Sequence, residues 1–245
     1  MKMIKYPRIM AAGDSAIVVE FGNEISPEIN GKIKSFSDAL RDEKIPGITD
    51  IIPTFRSVLI NYEPVLLSYN KIMKFSRELL ERAGDAEIGS RRIFRIPVCY
   101  GGEFGPDLKD VAEFAGMSEE EVIRRHTEKP YLIYMLGFLP GFAYLGGMDP
   151  CLAMPRLKEP RIRIEAGSVG IGGESTGIYP MASPAGWRLL GRTPVKTYDP
   201  EREVPILYET GDYIQFVAIS REEYDRMQEQ VAEGAYECEI VDYKD

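Results

Sequence analysis

Four cations fall within eight residues of this 245-residue chain: Arg156, Lys158, Arg161 and Arg163, opposed locally only by Glu159. Guanidinium forks match carboxylates and phosphates two bonds at a time, so such an island in a chain of net charge −9 is a candidate anion site. A solvated charged face is the usual fate of such a run. Here the framing Pro155 and Pro160 favour a fixed presentation. Arg188 and Arg192 add two cations near Trp187, the single tryptophan. Upstream, residues 137–145 read GFLPGFAYL and set Phe138, Phe142 and Tyr144 around the turn Pro140-Gly141. Aromatics on a turn line pockets or anchor partners. The plain alternative is a hydrophobic turn tucked under a barrel.

Residues 137–192 also hold 11 of the 23 glycines and 6 of the 17 prolines, about twice the glycine density of even spreading. Glycine permits close backbone approach and proline fixes φ, so this stretch reads as rigid loops that expose amides and carbonyls for recognition. Barrel turns that merely need these residues explain isolated glycines, but explain the density less well. No complete catalytic signature accompanies the loops. The only histidine is His126, and no HExxH or CxxC pair is present, so no protein-bound metal is expected. Walker, GxGxxG and GxSxG patterns are absent. A nucleophile–base pair would have to use His126, whose plain reading is a helix-terminal histidine that bonds a carbonyl and complements the dipole.

The bulk numbers narrow the class. With pI near 4.9 the chain lacks the field that general nucleic-acid binding needs. No apolar run reaches the roughly 20 residues of a membrane span. The first twelve residues carry Lys2, Lys5 and Arg8 without an apolar stretch, unlike a secretory signal. Cys99, Cys151 and Cys238 are odd in number and read as reduced thiols. A cytoplasmic protein is expected, with no nucleic-acid or membrane partner.

The elements that must position these residues form two domains, 1–98 and 99–245. In the first, residues 16–21 read as a strand. Ser26 and Pro27 open a helix with Ile29, Ile33, Phe36 and Leu40 on one stripe. Residues 48–55 and 57–62 read as strands. Ser68 starts a second helix facing inward through Ile72, Phe75, Leu79 and Ala83, with Gly84 to end it, and residues 92–98 form another strand. The order β-α-β-β-α-β predicts a ferredoxin-like α+β domain. In the second, Asp107 and the Ser118–Glu121 box cap two short helices. Short apolar runs then follow at 131–135, 168–172, 187–190, 196–198, 205–208 and 212–219, which predicts a β-barrel. Ser220 with Glu223 caps a last helix, and residues 236–243 alternate as a half-buried strand.

An ordered series of motifs adds a resemblance. Gly13-Asp14-Ser15-Ala16, Ile96 to Gly102, His126, GFLPGFAYL, Pro155-Arg156, Pro160-Arg161, AGSVGIGG at 166–173, Thr176 to Pro180, SPAGW at 183–187 and Gly191-Arg192-Thr193 resemble the KipI-like family, also called allophanate hydrolase subunit 1. That resemblance implies a cyclophilin-like barrel after the α+β domain. It also implies a role as the B subunit of an ATP-dependent 5-oxoprolinase that opens 5-oxoproline to glutamate. Its partners would be a KipA-like protein and a LamB/YcsF-type protein, the C and A subunits of that enzyme, with ATP entering through the complex. An inhibitor of a sporulation histidine kinase and a carboxyltransferase accessory protein related to urea carboxylase are the other roles it implies. Alone, the chain would be inactive and open to homo-oligomerisation. On this reading Arg156, Arg161, Thr176 and Arg192 contact anions, the amides of Gly172 and Gly173 serve a developing oxyanion, and His126, Tyr144 and Tyr179 donate hydrogen bonds or move protons. Phe138, Pro140, Phe142 and Trp187 would wall a pocket or meet a partner. Glu165, Glu174-Ser175 and Ala185 depart from the family pattern.

Overall fold

The computed structural model describes residues 5–82 and 91–243. The chain divides into two compact units, Met1–Gly89 and Ser90–Asp245. The first holds β1 (Arg8–Ala11), β2 (Ala16–Glu20), α1 (Pro27–Asp42), β3 (Ile48–Pro53), β4 (Ser57–Tyr62) and α2 (Tyr69–Arg82). Ser26 accepts from the Ile29 amide and Pro27 follows it, so α1 starts where the sequence predicts. Ile33, Phe36 and Leu40 meet Ile17, Val19, Val58 and Ile60 in one core. On α2, Ile72 and Leu79 are buried as expected, but Phe75 is exposed and Met73 and Ser76 turn inward instead. Ala83 and Gly84 lie outside the described residues.

The expected β-α-β-β-α-β order does not hold. The sheet order is β1-β2-β4-β3, and every pairing is antiparallel. Its outer strand β1 is an N-terminal hairpin arm on β2. The segment read as its last strand, β5 (Arg92–Tyr100), belongs to the second unit, so the boundary precedes β5 rather than falling at 98/99. The physical reason is burial: Phe94, Ile96 and Val98 fill the barrel core.

After β5 come α3 (Leu108–Ala115), α4 (Glu119–Thr127), β6 (Tyr131–Leu136), β7 (Ala143–Gly146), β8 (Arg161–Ile164), β9 (Ser168–Gly172), β10 (Ser175–Ile178), β11 (Ser183–Ala185), β12 (Arg188–Arg192), β13 (Tyr213–Ala218), α5 (Arg221–Ala232) and β14 (Glu239–Asp242). Seven strands run β12-β9-β10-β7-β6-β13-β5, and the β12–β5 pairing closes them into a barrel. Closure removes the unpaired edges an open sheet would carry. β14 adds to β5 outside the ring, and β8 with β11 makes a separate two-stranded flap. The runs at 196–198 and 205–208 form no strands and meet only through the bridge Tyr198–Ile206. Ser220 and Glu223 complete the expected capping box of α5.

Candidate functional site

The β6–β7 hairpin turn carries the strongest local signal. The Gly137 amide donates to Phe142 O at 3.1 Å, and the buried Tyr208 hydroxyl donates to Gly141 O at 2.8 Å. The tight path puts Phe138 at φ 66°, a left-handed backbone that a bulky residue adopts at a cost of about 1–2 kcal/mol. Strain of this kind persists where surrounding contacts enforce it and often marks a working position. Phe138 is 63% exposed, with its ring 5.5 Å from that of Phe142.

Phe142 centres an edge-to-face cluster, with ring centroids 5.1 Å from Tyr144, 5.2 Å from Tyr179 and 5.5 Å from Trp187. This cluster lies on the outer face of the β9–β10 hairpin, and two glycines make room for it. A Cβ on Gly172 would stand 2.5 Å from Trp187 Nε1, and one on Gly177 would stand 3.3 Å from the indole and 3.4 Å from Phe142. Above Trp187 lies Arg156, its guanidinium carbon 5.8 Å from the ring centroid. Two backbone bonds hold the loop that carries it: Gly173 N to Met154 O at 2.9 Å and Leu157 N to Gly186 O at 2.7 Å.

These groups enclose a pocket of about 240 Å³, whose lining also includes Pro160, Pro184, Ala185 and Gly186. No carboxylate lines it. Among the described residues nothing forms an ion pair or hydrogen bond with Arg156, so its donors are available. Burial pushes the Tyr179 phenol up to about 12, partly opposed by Arg156, so it stays a neutral O–H donor at physiological pH.

Of the sequence candidates, Phe138, Phe142, Tyr144, Arg156, Tyr179 and Trp187 converge here. Pro140 is exposed at the turn but does not line the pocket. The other arginines are engaged elsewhere. Arg161 donates to Asp107 at 2.7 Å, and Asp107 also accepts the Leu189 amide at 2.7 Å. Asp107 therefore ties the flap to β12 and makes no side-chain cap on α3. Arg163 pairs with Glu165 and Arg188 with Asp110, while Arg192 lies over Phe104 at 4.8 Å. The Gly173 amide is spent on Met154, Gly172 serves as the bed for Trp187, and neither glycine lines the pocket. The pocket walls at Pro160 and 184–186 were absent from the sequence candidates. Their signal was the proline and glycine density itself.

His126 and Thr176 sit inside the barrel, both fully buried. His126 Nδ1 is 2.7 Å from the Tyr100 hydroxyl and Nε2 is 2.7 Å from Thr176 Oγ1, which is 3.1 Å from Gly170 O. Only one proton order satisfies all three. Thr176 donates to the carbonyl, His126 Nε2–H donates to Thr176, and Tyr100 O–H donates to Nδ1. The imidazole stacks on Phe216 at 4.6 Å, and burial drives its pKa down to about 3. It is neutral, so it does not complement the helix dipole, and it has no opening to the pocket. Thr176, fully buried, likewise does not line the pocket.

Residues 7–208 match the family described as carboxyltransferase domain, subdomain C and D. The chain belongs to this family. It is 42% identical over 234 residues to the B subunit of 5-oxoprolinase from Bacillus subtilis (strain 168), covering 91% of this chain and 97% of that protein. The crystal structure of TTHA0988 is 36% identical with a TM-score of 0.75, over 84% of this chain and 40% of that one. The urea amidolyase of K. lactis shares the fold, with a TM-score of 0.77 at 20% identity over 96% of this chain and 16% of that one. No helix among the described residues is long and apolar enough to cross a membrane.

Proposed function

We propose that this carboxyltransferase-family chain is the B subunit of an ATP-dependent 5-oxoprolinase, acting in the cytoplasm with KipA-like and LamB/YcsF-type partner proteins, and that its barrel is cyclophilin-like. The observation that carries the reading is the pocket. It joins one unpaired guanidinium to a neutral phenol within aromatic walls, in a chain similar to the 5-oxoprolinase B subunit over nearly that protein's full length. The similar protein's designation as a B subunit supports partner dependence.

A lactam is a poor electrophile. Transfer of the γ-phosphoryl group of ATP to the lactam oxygen gives it a leaving group and releases ADP. Water then adds at the ring carbon and the C–N bond breaks, leaving an acyl phosphate that a second water hydrolyses. Overall, 5-oxoproline, ATP and two waters give glutamate, ADP and phosphate. Arg156 supplies a charge-assisted contact to an anion and Tyr179 a hydrogen-bond donor. Further donors for the developing oxyanion come from the partner proteins, because the amide of Gly173 is already committed.

Glutamate release by the three proteins together tests this. Arg156→Ala is expected to lower kcat/KM about ten- to a hundredfold, the worth of one charge-assisted bond. Arg161→Ala should leave the rate within about threefold where the protein stays folded, because its guanidinium serves Asp107. An assembled complex that releases no glutamate from 5-oxoproline and ATP would sink the reading.

A further inference from the structure

We infer that the pocket at Arg156 takes the carboxylate end of the small cyclic amide and leaves its lactam oxygen at the mouth, and that the partner proteins hold the nucleotide and present its γ-phosphate there. This assignment rests on the 5-oxoprolinase reading and deepens it. Size argues for it first. Drug-sized ligands occupy pockets of about 300–1,000 Å³. At about 240 Å³ this one suits a five-membered ring with one carboxylate and is too small for a nucleoside triphosphate.

Charge argues the same way. One cation lines the pocket, and among the island's arginines it alone has no carboxylate partner among the described residues, since Arg161 holds Asp107 and Arg163 holds Glu165. One guanidinium matches one carboxylate with two parallel bonds. A triphosphate carries several negative charges and is normally met by several cations or a nest of amides. Neither is present: the one amide on a left-handed glycine beside the Arg156 loop, that of Gly173, donates to Met154. The walls complete the fit. Phe142, Trp187 and Pro160 offer flat apolar surface to ring methylenes, and Tyr179 offers a hydroxyl to the lactam carbonyl.

Trp187 is the only tryptophan in the chain, so its fluorescence reports on this pocket alone. The full chain is titrated with 5-oxo-L-proline, with 2-pyrrolidinone, which is the same ring without the carboxylate, and with ATP. A saturable change with 5-oxoproline is expected. 2-Pyrrolidinone should bind at least about tenfold more weakly, Arg156→Gln should weaken 5-oxoproline by a similar factor, and ATP should neither alter the signal nor compete. In the assembled complex Arg156→Gln should raise KM for 5-oxoproline about tenfold and leave KM for ATP unchanged. The assignment is overturned if ATP competes with 5-oxoproline, if 2-pyrrolidinone binds equally well, if Arg156→Gln raises KM for ATP instead, or if 5-oxoproline gives no saturable signal in either the chain or the complex. An active complex with the KM effect on ATP overturns this assignment alone. A complex without glutamate release, in a chain that still binds 5-oxoproline through its carboxylate, overturns the enzymatic reading alone.

Discussion

The barrel interior around His126 and the outer pocket around Arg156 are built from similar parts: aromatic rings surrounding one nitrogen-rich side chain. They differ in what remains unsatisfied. Inside, every donor and acceptor of the imidazole is used, by Tyr100 and Thr176, and Phe216 covers one ring face. Outside, Arg156 has an aromatic platform and no hydrogen-bond partner among the described residues. A saturated polar chain in a closed core gives the fold a fixed arrangement. An open cation over a pocket has binding capacity left for a ligand. Residue type draws attention to both places, and hydrogen-bond accounting separates them.

The comparison breaks most easily at His126. His126→Ala removes a fully buried ring, orphans the Tyr100 hydroxyl and takes one of two partners from Thr176, so a loss of about 3–5 kcal/mol is expected in chemical denaturation. A loss below about 1 kcal/mol would mean the hydrogen-bonded chain through His126 is not structural. The same site has a pH signature. Its folded pKa is depressed to about 3 while the unfolded value is near 6.5. Below 6.5 the unfolded state binds the extra proton, so stability falls as pH drops from 6.5 towards 3, by about 1.4 kcal/mol per unit from this residue, and is flat above 7. His126→Gln should remove that acid slope.

Asp107 shows the same accounting for a buried carboxylate whose partner is partly exposed. Its carboxylate is buried and holds both Arg161 and the Leu189 amide. Arg161→Ala leaves that carboxylate short of a partner. Because the arginine is itself partly exposed, a loss of about 2 kcal/mol is expected, less than for a fully buried pair. Thermal melts check it. An unchanged melt with weakened 5-oxoproline binding would return Arg161 to the anion site.

How much of this was legible follows sequence distance. Ser26-Pro27, the Ser220–Glu223 box and the strand at 168–172 are local signals, and they stand where the sequence places them. The aromatic turn and Trp187 were readable because their density is local too. The choice among the arginines was not, since Arg161 finds its carboxylate 54 residues away, in a segment whose own pattern reads as a helix cap. β5 was misassigned for the same reason, as its alternating apolar residues fit either sheet. Gly172 and Gly177 were visible as glycines but not as the missing Cβ atoms beneath an indole fifteen and ten residues on. β1 escaped because four residues carry little periodicity.

The smallest expected effect sits at the rim and tests the pocket side of the comparison. Phe138 holds a left-handed backbone and exposes most of its ring. Asn tolerates that backbone better than Phe. Phe138→Asn therefore relieves strain while giving up edge contacts to Phe142 and Tyr179, two terms of about 1 kcal/mol with opposite sign. Stability should stay within about 0.5 kcal/mol of the parent. Binding should weaken about threefold in the Trp187 fluorescence titration, because Phe138 is one of the apolar walls of the pocket. If stability fell by more than about 1.5 kcal/mol instead, the ring would be part of the core, and the strained turn would owe its shape to packing rather than to the ligand.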